Sequence, residues 1–264
     1  MAVDDVATSP GRIAAEIHRQ LGPVSGAIPV HDIAVALDIE EVRVGPLENF
    51  EAVLVTTAER DFGKVLLSSN SNGQRRRYSL AHELGHFLCA WHRQTHAGGF
   101  RCTSRDMAMT TVEGDDDTHR RQEREANAFA IELLAPRYLV APFLKRLPDL
   151  DVVLAMHQRL DISRVAAARR YVSLHSNPLA VVVAKDSRVL YVERSAGFPY
   201  LAFGRGDVLP PLPAIDPGLV TSRMIDADAS LWRLPNGGDR LYCQVLEQER
   251  NHALVLLLLD DREE

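Results

Sequence analysis

The pentapeptide His82-Glu83-Leu84-Gly85-His86 constrains the fold of this chain more than any other feature of its sequence. Histidines four residues apart stand on the same face of a helix, one turn above the other. Two imidazoles in that arrangement can bind one divalent metal ion, and the glutamate beside the first can act as a base toward water. The pentapeptide therefore predicts a metal-binding helix, and a third ligand must come from another part of the chain.

The residues around the pentapeptide predict its local surroundings. Residues 64–69 have the composition of a strand, and residues 70–74 that of a turn. Ser79 is a suitable N-cap for a helix over residues 80–91. The arginines at 75–77 are interpreted as part of a solvated loop. We therefore expect the order strand, turn and metal helix.

A second predicted helix, over residues 118–134, supplies the favoured third ligand. Pro136 follows this segment and ends it. Glu123 and Asn127 lie four residues apart and share a helix face, so the Glu123 carboxylate can bind the metal. Asn127 can accept a hydrogen bond from the far nitrogen of a metal-binding histidine and so fix its tautomer.

Three other side chains compete for the third position. Glu125 is rotated away by two residues along the helix, and Glu113 lies in an acidic loop segment, residues 113–117. His92 follows His82 by ten residues, but its use requires a break in the metal helix at Cys89. If the helix continues at about 100° per residue, His92 points away from the two histidines. Glu123 is preferred, with Glu113 and Glu125 left open.

The remaining roles follow from the chemistry of a catalytic metal. Glu83 is the predicted base, because its position beside His82 makes it a poor ligand. Tyr78, one turn before His82, is the nearest candidate donor to a developing oxyanion. Zn²⁺ is the expected metal, although histidine and carboxylate ligands also accept Mn²⁺ or Fe²⁺.

Composition indicates an ordinary globular protein of 264 residues, long enough for two or three domains. The net charge of −6 argues against non-specific coating of nucleic acid. The three cysteines are widely spaced and follow no metal-ligand pattern, which predicts reduced thiols in a cytosol. The first residues lack the apolar run of a secretory signal, and no apolar run is long enough to span a bilayer. We expect a cytoplasmic protein that does not contact membranes.

The segment order predicts an α+β, multidomain chain. Residues 1–136 are expected to form a mostly helical zinc-peptidase-like domain with a small sheet, in which residues 93–118 are a long loop. Residues 137–175 are expected to form a helix-turn-helix module, and residues 176–264 an α+β domain rich in strands.

The helix-turn-helix module makes DNA contact possible. Its second helix is capped by Ser163 and carries Arg164, Arg169 and Arg170. Residues 137–170 contain seven Lys or Arg against three Asp or Glu. The second helix contains no Asn or Gln, however, and its first turn is mostly alanine and valine. DNA binding is therefore not favoured.

Two stretches of sequence resemble the ImmA/IrrE family of bacterial metallopeptidases, and the resemblance covers residues ~30–140. They are Arg77-Tyr-Ser-Leu-Ala-His-Glu-Leu-Gly-His86 and Glu123-Arg-Glu-Ala-Asn-Ala-Phe-Ala-Ile-Glu-Leu-Leu-Ala-Pro136. The segment order is similar to that of the family's IrrE-type members from Deinococcus, in which a helix-turn-helix module and a GAF-like domain follow the peptidase domain.

The resemblance implies a zinc endopeptidase that cleaves a DNA-binding repressor at a specific site. The repressor would be like DdrO of Deinococcus, and cleavage would induce the DNA-damage response after radiation or desiccation. The alternative is a DNA-binding transcription regulator with a structural or vestigial metal. A structural zinc prefers four side-chain ligands and has no use for Glu83, which favours the peptidase.

Overall fold

The computed structural model describes residues 9–96, 98–108, 118–234 and 240–260. These residues form two compact units. The first contains the described residues up to Leu139 together with Leu160–Ile162, and the second contains Val140–Arg159 and the described residues from Ser163 onward. Both combine helices and strands, so the predicted α+β class is confirmed.

Two helices open the first unit, α1 (Pro10–Leu21) and α2 (Val30–Ala36). The Ser9 side chain caps α1 by accepting a hydrogen bond from the backbone N–H of Arg12. Pro10 occupies the first turn, where its missing N–H costs no helical hydrogen bond. Ile13 and Ile17 are fully buried one turn apart, which gives α1 its apolar face.

A four-stranded sheet supports the metal helix. It contains β1 (Ile39–Gly45), β2 (Ala52–Thr56), β3 (Gly63–Ser68) and β4 (Gly99–Cys102), in the order β1-β3-β2-β4. The β1 and β3 strands are parallel, whereas β2 is antiparallel to both β3 and β4.

The prediction of a continuous loop over residues 93–118 is wrong. This segment contains the edge strand β4 and a 3-10 turn at Asp106–Ala108. The strand forms because Phe100 and Cys102 are buried while Arg101 between them is exposed, the alternation of a strand with one covered face. The acidic residues 113–117 lie outside the described part of the chain.

The metal helix α3 runs from Gly73 to Leu88, so its predicted start and end are both wrong. Its N-cap is Asn72, whose side chain accepts a hydrogen bond from the Arg75 backbone N–H at 2.8 Å. Ser79 lies inside the helix, buried, with its hydroxyl against the Met107 sulfur at 3.3 Å. The arginines at 75–77 therefore belong to the first turns of α3 and not to a loop.

The second predicted helix is confirmed as α4 (Thr118–Leu134). It packs against α3 and α1. Gly85 of α3 allows this helix to approach α4 closely, because a Cβ built at Gly85 would lie only 3.0 Å from the Ala126 Cα. The two helices are thus near enough for side chains of α4 to reach those of α3.

Three short helices follow, α5 (Arg137–Leu144), α6 (Leu150–Leu160) and α7 (Arg164–Leu174). Ser163 caps α7 by accepting a hydrogen bond from the Ala166 backbone N–H at 3.1 Å. Inside the second unit, α7 packs on the first two strands of a second sheet.

The second sheet is antiparallel throughout. It contains β5 (Leu179–Lys185), β6 (Arg188–Arg194), β7 (Ile225–Ala227), β8 (Arg240–Gln248) and β9 (His252–Asp260), in the order β6-β5-β9-β8-β7. The long apolar run near the end of the chain forms β9, paired on both sides, as expected of a buried strand. Among the described residues, no helix is long and apolar enough to cross a membrane.

Candidate metal centre

Three side chains that could bind a metal converge between α3 and α4. The Nε2 atoms of His82 and His86 lie 3.1 Å apart. The Glu123 carboxylate reaches both, with one oxygen 3.1 Å from His82 Nε2 and the other 3.3 Å from His86 Nε2. All three side chains are buried, at most 1% exposed. The sequence-predicted ligands therefore lie together, brought there by the one-turn spacing on α3 and by the packing of α4.

The spacing of these atoms fits a four-coordinate divalent ion. Ligand atoms about 2.0–2.2 Å from a tetrahedral zinc lie roughly 3.3–3.6 Å from one another. The separations of 3.1–3.3 Å among the two nitrogens and the carboxylate oxygens are close to that range. Two imidazoles and a carboxylate are also the donor set of a common class of catalytic zinc site. The residues present thus suit a metal.

Asn127 fixes the orientation of His82. Its Oδ1 lies 3.0 Å from His82 Nδ1 and also accepts a hydrogen bond from the Tyr78 hydroxyl at 2.9 Å. Its amide nitrogen donates to the Asp106 carbonyl at 2.9 Å. An amide oxygen can only accept, so His82 donates its Nδ1–H to Oδ1, and its other ring nitrogen, Nε2, faces Glu123. Asn127 thus makes the contact that its spacing predicts.

Glu83 is buried in the same cluster. It is 0% exposed, and no N–H or O–H group of the described residues donates to either carboxylate oxygen. The Cys102 thiol interacts with this carboxylate. Burial raises the pKa of Glu83 to about 7, although the neighbouring His82 lowers it. An ionised carboxylate without partners is costly in such a place, which marks Glu83 as a group held for a ligand or for chemistry.

The charges of the cluster are tightly coupled. Burial opposes ionisation of Glu123, but hydrogen bonds to His82 and His86 outweigh it and hold its pKa far below the usual range. Burial also disfavours the charged form of His82, yet contact with Glu123 raises the pKa of His82 overall. Burial lowers the pKa of His86 to about 4. The carboxylate and the neutral His86 are therefore in the forms that a metal requires.

His92 reaches the cluster by a route that the sequence prediction missed. The helix ends at Leu88 and does not continue to His92 as expected, so the angular argument against His92 is wrong. His92 Nδ1 lies 3.0 Å from His86 Nδ1, and its Nε2 lies 2.9 Å from Glu125. His92 and Glu125 therefore face the side of His86 opposite to Glu123, where they can orient the ring.

Arg60 holds the chain in this turn. Its guanidinium donates to the carbonyl of Phe87 at 3.3 Å and also to the carbonyls of Cys89 and His92. Carbonyls at a helix end lack partners inside the helix, and a cation that binds them stabilises the end. Arg60, on the loop between β2 and β3, thus stabilises the end of α3, which the sequence around the pentapeptide did not predict.

Two further neighbours were not predicted. The Cys102 sulfur lies with ligand atoms of His82, His86 and Glu123 in a group whose members are all within 4.8 Å of one another. His119, one turn before Glu123, has its Nε2 3.6 Å from the Glu123 carboxylate. The i, i+4 spacing of His119 and Glu123 was available in the sequence, whereas Cys102 depends on the pairing of β4 with β2. Glu113, an alternative third ligand, lies outside the described residues.

Comparison with solved structures supports the fold over nearly the whole chain. A Mycobacterium tuberculosis transcriptional regulator superposes with a TM-score of 0.54 at 14% sequence identity, covering 97% of this chain and 76% of the other. At this identity the similarity shows the fold alone. No curated protein sequence matches the chain.

The family assignment rests on a sequence match. Residues 41–171 match the model of the Peptidase_M78 family, the IrrE N-terminal-like domain. The matched segment contains the whole cluster, from His82 to Glu123, and ends inside α7. Residues 41–171 therefore belong to the IrrE N-terminal-like family of peptidase domains.

Proposed function

We propose that the protein is a metal-dependent endopeptidase that cleaves a DNA-binding transcriptional repressor. The observation that carries the proposal is the state of Glu83. It is fully buried beside three converging side chains that could bind a metal, and no N–H or O–H group in the described part of the chain donates to its carboxylate. A structural metal site gives such a group no role, whereas hydrolysis needs a base at that place.

Each side chain of the cluster has a distinct role in the proposed reaction. His82, His86 and Glu123 would hold the ion, with Zn²⁺ expected and Mn²⁺ or Fe²⁺ also compatible with the donors. A bound divalent ion would supply a Lewis acid that polarises the scissile carbonyl and makes water easier to deprotonate. Glu83 takes a proton from the attacking water and delivers it to the leaving amine. Burial raises the pKa of Glu83 in the metal-free protein, which favours uptake of a proton by this carboxylate.

Tyr78 is the proposed second donor to the developing oxyanion. Its hydroxyl donates to Asn127 at 2.9 Å, and Asn127 in turn contacts His82. A donor role toward substrate requires the hydroxyl to leave Asn127 when substrate binds. Tyr78→Phe would then lower kcat, because the donor would be needed only in the transition state.

The repressor substrate rests on the family and not on the site geometry. The IrrE-like domain suggests a peptidase that cleaves regulators. We propose a DdrO-like repressor, so that its loss induces genes of the DNA-damage response after radiation or desiccation. We also propose a cytoplasmic location, because a DNA-binding repressor would be cleaved there. We further propose domain limits of 1–136, 137–175 and 176–264, the last two being a helix-turn-helix module and a GAF-like sensor.

The alternative of a DNA-binding regulator has less support. Of the three arginines predicted on α7, Arg169 pairs with Glu193 at 3.1 Å and stacks over Tyr191, both within the second unit. Arg170 is only 7% exposed. Arg169 is thus engaged by other side chains of the protein, and Arg170 is buried, so neither is placed to contact the phosphates of DNA.

The test is a cleavage assay with purified components. The protein is mixed with a DdrO-like repressor and Zn²⁺, or Mn²⁺ in parallel, and the products are identified by mass spectrometry. We expect one specific cut, no cut in the presence of a chelator, and no cut by Glu83→Gln. A repressor that stays intact with the wild-type protein, or is cut equally by the variant, would overturn the peptidase proposal.

A further inference from the structure

Cys102 adjoins the three predicted ligands and could supply a fourth ligand atom to the same ion. Its sulfur and the ligand atoms of His82, His86 and Glu123 are all within 4.8 Å of one another. Cys102 is 1% exposed and forms no disulfide. A tetrahedral ion bound by the other three has one position left, and thiolate sulfur is among the strongest ligands for zinc.

The position of Cys102 is fixed by the sheet and not by chance packing. Cys102 ends β4 and pairs with Ala52 of β2. The backbone on both sides is held, since the Glu51 N–H donates to the Cys102 carbonyl at 2.9 Å and the Thr103 N–H donates to Asp106 at 2.8 Å. A ligand on a rigid strand can bind without the cost of ordering a loop.

A second observation points to the same place. The Cys102 thiol lies beside the Glu83 carboxylate, which is 0% exposed and receives no hydrogen bond from an N–H or O–H group of the described residues. A potential ligand and a potential base, close to each other, therefore adjoin the three converging side chains. The other two cysteines, Cys89 and Cys243, are also buried and unpaired but lie outside this group.

We propose that Cys102 is a fourth protein ligand of the metal centre and that its thiolate holds the centre closed until substrate displaces it. The proposal rests on the metal-dependent function above and adds its regulation. When sulfur binds the ion, the S–H bond breaks and its proton leaves to water. The closed state lacks the open position that a catalytic zinc needs. Substrate that displaces the sulfur releases a thiolate, which takes up a proton from water and becomes a thiol again.

The test uses the full-length protein loaded with Co²⁺ and read by absorption spectroscopy. The wild-type protein should show visible d–d bands and a near-ultraviolet sulfur-to-cobalt charge-transfer band. Cys102→Ala should keep the d–d bands and lose the charge-transfer band, and Cys89→Ser, a matched buried cysteine variant, should keep both. Cys102→Ser is the second variant should the alanine protein fail to fold. Competition with a chelator should show metal binding weaker by about tenfold or more in Cys102→Ala.

The outcomes separate this proposal from the proposed function. Visible d–d bands without a charge-transfer band in the wild type, or a charge-transfer band that survives in Cys102→Ala, would overturn the role of Cys102 and leave the three-ligand site standing. Absence of d–d bands from all variants would overturn the metal centre itself and with it the peptidase. A charge-transfer band that is lost only in the Cys102 variants supports the fourth ligand.

Discussion

At the scale of single residues, burial of Glu83 should make the stability of the metal-free protein depend on pH. The pKa of Glu83 is about 7 in the folded protein against a model value of 4.5. The unfolded chain therefore binds fewer protons between these values, and stability falls as pH rises through this window. The difference corresponds to roughly 3 kcal/mol, since one pKa unit is about 1.4 kcal/mol.

The variant Glu83→Gln isolates this contribution because glutamine does not ionise. The wild-type protein, treated with chelator, should lose stability between pH 4.5 and pH 7, whereas the variant lacks this loss. The free energy of unfolding of the variant, relative to that of the wild type, should therefore increase by roughly 3 kcal/mol over this range. Urea denaturation at several pH values measures it. A difference that does not change with pH would contradict the burial of an unpartnered carboxylate.

Asn127 should influence metal binding without touching the metal. Its Oδ1 lies 3.0 Å from His82 Nδ1, and loss of such a partner from a ligating histidine typically weakens metal binding by about 10–100-fold. We expect Asn127→Ala to fall in that range in a zinc-competition titration. The matched control is Gln122→Ala on the same helix, whose buried amide instead binds the Arg93 backbone. Equal losses of zinc affinity in the two variants would show that any change on α4 weakens metal binding, and would contradict a specific role of Asn127.

At the scale of elements, the contact between α3 and α4 makes Gly85 a test of helix packing. A Cβ at Gly85 would meet the Ala126 Cα at 3.0 Å and the Ala126 carbonyl oxygen at 3.2 Å, both backbone atoms that cannot move alone. Gly85→Ala should destabilise the protein by about 1–3 kcal/mol, although alanine is the better helix former. It should also weaken metal binding, because Glu123 would move away from the histidines.

Gly11 provides the control for this substitution. It lies in α1, is exposed, and has no atom of the described residues within 4 Å of the position that a Cβ would take. Gly11→Ala should therefore stabilise the protein, by up to about 1 kcal/mol. Thermal unfolding of the two variants measures opposite shifts in Tm. A rise in Tm for both would mean that α3 and α4 are not in close contact.

The same elements show how far the sequence could predict the fold. The start of α1 was predictable because Ser9 and Pro10 are local signals, and the extent of α4 because its periodicity is regular. The start of α3 was not, since Asn72 is followed by polar residues that resemble a loop. Arg77 there is stabilised by contacts distant in sequence, donating to the Ile28 carbonyl at 2.9 Å and pairing with Asp161.

At the scale of the whole molecule, the described residues contain one group of His, Cys, Asp and Glu side chains able to hold a metal, and it lies in the first unit. His82 and His86 were predictable because helical spacing places them on one face of α3. Glu123 was preferred through its spacing to Asn127, but the packing of α4 on α3 is what brings it to the histidines. Cys102 was not predictable, because it lies on β4, and no local sequence pattern predicts the pairing of β4 with β2. His92 was missed because Arg60, distant in sequence, supplies the partners that end α3.

The most direct test of the account is the metal content of two variants after dialysis against the same Zn²⁺ buffer. Glu83→Gln should retain about one metal ion per chain, because Glu83 is a base and not a ligand of the three-ligand site. Glu123→Gln should lose most of its metal, because the carboxylate that joins His82 and His86 is gone. Loss of metal from Glu83→Gln together with full retention by Glu123→Gln would contradict the assignment of ligand and base.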